Sequence, residues 1–267
     1  MEDRADLSNP DLDVAESEDG FVMWATLDRP EERNALSPDI IGGLQDALAA
    51  ADEGPARVFV IRGAEGTFCS GGDLSSMGET FGAGSEAYRE NFSGLADLVE
   101  AMTDAGVLTV AAVEGYCLAG GLGLVTACEF VLAHEEATFG TPEVDVGLFP
   151  AQAMAPIMRA ADEKAGLRLL FTGDFVDADE AESIGLVTDV APAGEFEDHL
   201  SALVDELADN SPTLIEIGKE AYYTQRDLDF GSALDYLSEV ITIIAMSDAT
   251  EEGIDAYLND RDPDWRR

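Results

Sequence analysis

Basic residues are scarce in this sequence of 267 residues: 14 Lys+Arg stand against 56 Asp+Glu, for a formal net charge of -42. Lysine occurs only at Lys164 and Lys219. A chain without clustered Lys and Arg cannot displace the counterions of a nucleic acid or hold an anionic lipid surface, so neither is an expected partner. Histidine occurs only at His134 and His199, far apart and without ligand spacing. Both are expected to be structural or surface residues, and no metal is expected. Cys69, Cys117 and Cys128 are an odd number of cysteines, and residues 1–19 are polar, acidic and not signal-like, which points to a reducing cytoplasm. Long apolar runs are missing as well. The stretches 107–113 and 118–125 are too short or too glycine-rich for a spanning helix of about 20 residues. The dinucleotide fingerprint and the phosphate-loop signature are both absent.

What the chain does have is apolar content, 46% of its residues, which excludes disorder as the reason for its charge. The acids are spread along the sequence instead of gathered in a tail. Such a surface repels itself at a Debye length of about 10 Å and tolerates molar salt, where that length is about 3 Å. A salt-in halophile's protein is the expected source.

Short apolar runs alternate with helical patterns. Residues 21–27, 57–62, 107–113 and 129–134 read as strands, and 38–51, 85–103 and 119–127 as helices, the first with Ser37 as cap and Pro38 at its first position. This rhythm predicts βα or ββα units and an α/β fold with parallel pairing. From 194 onward strand signals cease, and 195–209, 213–226, 230–247 and 250–259 carry helical spacing. The run 237–246 is apolar nearly all round, which predicts burial against another domain or subunit. The expected division is an acidic, flexible segment over 1–19, an α/β core over 20–195 that holds the active site, and a helical C-terminal region over 196–267.

Three segments can carry chemistry. Gly66-Thr-Phe-Cys-Ser-Gly-Gly-Asp-Leu74 is a glycine-rich loop after a strand, able to aim backbone N–H groups into a concavity or serve as a plain connector. Val113-Glu-Gly-Tyr-Cys-Leu-Ala-Gly-Gly-Leu-Gly-Leu124 runs from a strand through a glycine turn into an apolar helix. That turn can either gather N–H groups where an oxyanion develops or only allow close helix packing. Thr138-Phe-Gly-Thr-Pro-Glu-Val-Asp-Val-Gly-Leu-Phe-Pro150 sets Glu143 among apolar residues, where desolvation would raise its pKa and suit it to proton transfer. In a chain with 56 acids, a lone carboxylate is more often a solvated charge.

Together, in this order, the three segments resemble the crotonase superfamily of enoyl-CoA hydratases and isomerases. Two further blocks support the resemblance: Arg29-Pro-Glu-Glu-Arg-Asn-Ala-Leu36 is similar to the family's first CoA-contacting turn, and 170–187 to its link between core and trimerisation helices. The resemblance implies a ββα spiral core, a helical C-terminal trimerisation region, and a homotrimer or a hexamer built as a dimer of trimers. It implies an acyl-CoA thioester substrate with no separate cofactor, coenzyme A being part of the substrate. By motif position, the N–H groups of Gly72 and Gly120 would polarise the thioester carbonyl and Glu143 would be the acid/base. Arg33, Ala35, Ser70, Asp73 and Leu74 would contact CoA, and Tyr116 and Phe149 would wall the acyl pocket.

The sequence departs from the hydratase pattern at Gly123, where hydratases carry a first glutamate. A single carboxylate suffices for a 1,3-proton shift; hydration with one would be slower unless Asp145 or another group substitutes. A decarboxylase, a thioester hydrolase, a synthase or a noncatalytic acyl-CoA-binding homologue stay open. The position three after Gly72, often basic in the family, is Ser75. Arg29, Arg33 and Arg62 remain as cations for CoA, with Lys219 or Arg226 from a neighbouring subunit. Cys69 lies in the first loop without a histidine to activate it, so a nucleophilic role is not expected.

Overall fold

The β-branched runs pair across the chain into one sheet, and the helices between them cover it. The computed structural model describes Leu7 and residues 9–266. Its first half contains β1 (Leu12–Glu16), β2 (Val22–Leu27), α1 (Pro38–Glu53), β3 (Val58–Gly63), α2 (Leu74–Glu79), α3 (Ser85–Asp104), β4 (Leu108–Val113), β5 (Tyr116–Leu118) and α4 (Gly120–Val125). There follow β6 (Phe130–His134), β7 (Thr138–Gly140), α5 (Ala151–Ala160), α6 (Glu163–Thr172), β8 (Phe175–Asp177), α7 (Ala178–Ser183) and β9 (Asp189–Ala191). Four helices end the chain: α8 (Phe196–Ala208), α9 (Pro212–Arg226), α10 (Phe230–Ala245) and α11 (Asp248–Leu258). The expected elements are present with ends shifted by a residue or two, and the Ser37 hydroxyl caps α1 by accepting from the Ile40 N–H.

The large sheet has the order β1-β2-β3-β4-β6-β9, and β5, β7 and β8 form a smaller one. In the large sheet only β1 runs antiparallel to its neighbour. β4 passes directly into β5 and α4, and β6 into β7 and a turn before α5, so the ββα rhythm is real. β3 is apolar from Val58 to Ile61 because both its faces are covered there. Phe59 and Ile61 join the core beneath α1 and α3, while Val58 and Val60 pack on the other side with Phe196, Leu200 and Val204 of α8.

Two expectations need correction. Residues 1–6 and 8 of the segment expected to be flexible lie outside the described residues, but Leu12–Glu16 is an edge strand in register with β2. Leu12 is buried and Val14 half-buried, while Asp13 points to solvent. An alternation of only five residues is easily taken for a solvated acidic tail. The second correction concerns the division at 195. α8 is the layer that covers the second face of the sheet, so the chain's packing does not break there. The C-terminal region is helical throughout, and α10 meets α9 and α11.

Candidate active site

Three loops converge at the ends of β3, β5 and β7. The backbones of Cys69 and Cys117, both free thiols, form a parallel β-bridge, and the Leu118 N–H donates to the Cys69 carbonyl at 2.9 Å. The turn after β2 is tied in the same way. Leu36 N–H donates to Gly71 O at 2.7 Å, and Asp73 N–H to Leu36 O at 3.1 Å. Asn34, fully buried, holds that turn by donating from Nδ2 to Ala64 O and Thr67 O. Because residues 71 and 73 make the bridge to Leu36, the N–H of Gly72 faces the opposite way. Among the described residues, neither the Gly72 N–H nor the Gly120 N–H has an acceptor in the protein. A Cβ built on Gly120 would lie 3.8 Å from the Gly72 nitrogen, so the two backbones border one small space.

Ala119 sets the direction of the second N–H. It precedes α4 at φ 55 and ψ -125, a conformation that costs a non-glycine residue about 1 to 3 kcal/mol and persists only where the surroundings enforce it. Here its N–H is held by Gly140 O at 2.8 Å, and the turn points the first N–H groups of α4 toward Gly72.

These groups line a cavity of about 740 Å³. Gly72, Gly120, Glu143, Arg33, Ala35, Ser70, Asp73 and Leu74 all border it, so eight of the nine expected site residues come together. Tyr116 does not. It lies on β5, 49% exposed, outside the cavity lining, because the alternation of that strand turns Cys117 inward in its place. Phe149 does line the cavity and packs on Phe171.

Glu143 sits in the single turn Pro142–Val146, which Pro142 starts and Gly147, at φ 80, stops. Its Oε2 is buried without a hydrogen-bond partner. Burial pushes the carboxyl above its ordinary pKa, and one backbone hydrogen bond only partly opposes this. Gly123 lies behind Gly120 on α4, and a Cβ there would fall 2.8 Å from the Cα of Ala153 on α5. The place of that first glutamate is thus filled by helix packing. Asp145 is exposed at the cavity edge.

The cationic candidates divide sharply. Arg33 is the one cation among the described cavity-lining residues. Arg29 is bound to Asp73 at 2.8 Å, and Asp73 in turn caps α2 through Ser75 N–H. Burial raises the Asp73 pKa, but Arg29 and the capping N–H groups outweigh it and hold the carboxyl below its usual range. Arg62 pairs with Glu197 at 2.6 Å, away from the cavity. Lys219 is not available to a neighbour's ligand: it is buried in its own chain, donating to Val107 O and pairing with Glu129 at 3.2 Å. Arg226 donates to Arg159 O. Cys69 is buried and its thiol is pushed up to about 12 by desolvation, which leaves it protonated. His134 accepts from Glu136 N–H and packs on Phe196, and His199 of α8 lies 3.7 Å from the carboxylate of Glu195, the residue before that helix.

The motifs did not reveal the far wall. Leu95 of α3, Met77 of α2 and Gln152 of α5 complete it, and only the helical spacing of Phe92, Leu95, Ala96 and Val99 hinted at an apolar stripe there.

The chain is 32% identical over 260 residues to the human mitochondrial enoyl-CoA hydratase domain-containing protein 3, covering 97% of this chain and 84% of that one. It is 30% identical to the 2,3-dehydroadipyl-CoA hydratase of Escherichia coli, over 92% of this chain and 95% of that protein. The crystal structure of an enoyl-CoA hydratase from Mycobacterium smegmatis superposes with a TM-score of 0.91 at 29% identity, covering 96% of this chain and 99% of that one. The family model described as enoyl-CoA hydratase/isomerase matches residues 17–267. With a crotonase-type α/β fold and that match, the chain belongs to the enoyl-CoA hydratase/isomerase family.

Proposed function

We propose that the protein acts on an enoyl-CoA thioester by proton transfer at one carboxylate. The Gly72 and Gly120 N–H groups receive the thioester oxygen as it gains charge, and Glu143 moves the proton. The observation that carries this reading is the buried, unpartnered Oε2 of Glu143 in the same cavity as two N–H groups without acceptors. In a 1,3-shift, Oε2 takes a proton from C2 of a 3-enoyl ester. The electron pair delocalises onto the thioester oxygen, and the carboxylic acid returns the proton to C4. No second acid/base is needed, which suits a site where Ala153 occupies the place of one. Hydration is the second reading, supported by the relatives named hydratases. Product analysis from a mixture of crotonyl-CoA and 3-hexenoyl-CoA at molar KCl tests both. Shift of the 3-enoyl ester faster than hydration of the crotonyl ester is expected, and the reverse order would favour the hydratase reading. No turnover of either would refute the proposal.

Restoring the missing glutamate is expected to fail. Gly123→Glu must push α4 off α5, since even a Cβ would stand 2.7 Å from the Ala153 Cβ. Overpacking of this kind costs about 1 to 3 kcal/mol or more. Chemical denaturation is expected to show that loss without a gain in hydration rate. A stable variant with raised hydratase activity would overturn the packing reading.

We further propose that concentrated salt is the working solvent. Glu31, Glu32 and Asp145 border the cavity against Arg33 alone, and the substrate is itself a polyanion. Screening at molar salt shortens the repulsion to about 3 Å. The KM for a CoA ester is expected to fall as KCl rises from dilute to molar; a steady rise would refute this. The exposed Phe230 and Ile241 of α10, Met246 at its C-cap and Tyr257 of α11 leave an apolar face that a second copy would cover, in support of a trimer or hexamer.

A further inference from the structure

A second cavity, of about 1240 Å³, lies between α3, α5 and α9, and it shares one lining residue with the first: Gln152. From α5 the Gln152 side chain reaches across to α3, where its Nε2 donates to the Phe92 carbonyl. Gln152 therefore stands between the two spaces. Along α3, Phe92 and Leu95 line the first cavity and Ala96 and Val99 the second. Their spacing of i, i+3, i+4 and i+7 makes them one continuous apolar stripe running past the partition. On α5, Ala153 lines the first cavity and Pro156 the second.

We propose that the acyl chain of the substrate follows this stripe past Gln152 into the second cavity, with Gln152 as a movable partition that sets the chain length accepted. The substrate class is then an acyl-CoA with a long, unbranched apolar chain. This rests on the acyl-CoA reading above and adds the length of the acyl group to it. Gln152 can swing aside at little cost, because it is exposed and its amide can exchange the Phe92 carbonyl for water. The far wall is polar, with Glu100, Asp104, Arg159 and Asp227 on it beside Glu129 and Lys219. Glu129 there accepts from the Tyr223 hydroxyl at 2.7 Å and pairs with Lys219 at 3.2 Å.

The test uses saturated esters, so it does not depend on turnover. Affinities of butyryl-CoA and decanoyl-CoA are measured by calorimetry on the full chain at molar KCl. Each methylene taken out of water strengthens binding by about fourfold. The wild-type protein is expected to bind the decanoyl ester at least about 100-fold more tightly, allowing for methylenes left partly wet. Gln152→Trp fills the gap and is expected to cut that ratio by roughly tenfold or more. If a melting curve shows that this variant does not fold, Gln152→Leu replaces it, removing the hydrogen bond at similar volume. It is expected to widen the decanoyl preference. A ratio unchanged by whichever variant folds would overturn the proposal, as would a wild-type ratio near one, the result if a second copy of the chain fills the cavity. Crotonyl- and 3-hexenoyl-CoA turnover is read in parallel. A chain-length preference that responds to Gln152 in a protein with no turnover would refute the reaction and leave the chain path standing.

Discussion

Glu143→Gln is expected to lower kcat on an enoyl-CoA ester by about 10²- to 10⁴-fold, the range for loss of a positioned acid/base. The amide keeps the shape of the carboxyl but cannot accept and return a proton. Ester affinity is expected to change little, because the side chain is paired with no binding residue. A variant that retained activity within about threefold would remove Glu143 from the mechanism, since general acid/base groups contribute more than that.

The same substitution makes a stability statement of opposite sign. Burial holds the folded-state pKa of Glu143 above its unfolded value. Its contribution to stability is therefore fully present below the unfolded pKa, in the ordinary carboxylate range near about 4.3, and is lost as pH rises through the raised folded pKa. At neutral pH the ionised, unpartnered carboxylate works against folding. Glu143→Gln is thus expected to melt at a higher temperature than the wild-type protein at pH 7.5, with the gap narrowing toward pH 4.5. A gap that widened on acidification would mean that the carboxylate is stabilised as an ion. In the wild-type enzyme the acid limb of kcat/KM is expected above the ordinary carboxylate range for the same reason.

The side of the cavity that holds Gly72, Gly120 and Glu143 was open to sequence reasoning because it is built largely from backbone. A loop that must turn sharply and present N–H groups requires glycine, so Gly72 and Gly120 stand out, and a carboxylate flanked by Pro142, Val144 and Val146 is conspicuous. The binding side is built from side chains whose role depends on their neighbours. Lys219 looked available to a phosphate until Glu129 and Val107 O were found to hold it inside its own chain. Arg29 looked equivalent to Arg33, yet Asp73 neutralises it, and only the three-dimensional turn separates them. Tyr116 lies outside the cavity lining for a smaller reason. In a strand of three residues, the choice of inward face depends on register, and the pairing of Cys117 with Phe139 buries Cys117. In the fold, β1 was hidden by its charges, and α8 was grouped with the later helices because periodicity shows that a helix has an apolar face without showing what covers it. The substitution at Gly123 was visible as a missing glutamate. That the space itself is gone appears only in the approach of Ala153.

Gly120→Ala is expected to separate activity from stability at the proposed oxyanion site. The added methyl would stand 3.4 Å from Leu95 Cδ2 and 3.7 Å from Leu36 Cδ1, ordinary contacts that need no rearrangement. Alanine is also the better helix former by about 1 kcal/mol in a helix interior, and less at the first position of α4. Unfolding free energy is therefore expected to hold or rise slightly. The methyl would, however, lie 3.8 Å from the Gly72 nitrogen, within the space the thioester oxygen has to enter. An oxygen displaced from both donors loses the stabilisation that grows as charge develops, about 2.7 to 4 kcal/mol for one oxyanion-hole donor, or a 10²- to 10³-fold fall in kcat. The ground-state carbonyl, with little charge, loses much less. Butyryl-CoA affinity is therefore expected to weaken far less than kcat, and this difference identifies the defect as one of transition-state binding. Equal losses in affinity and rate would mean that the methyl only blocks entry, and an active Gly120→Ala enzyme would move the oxyanion site away from Gly72 and Gly120.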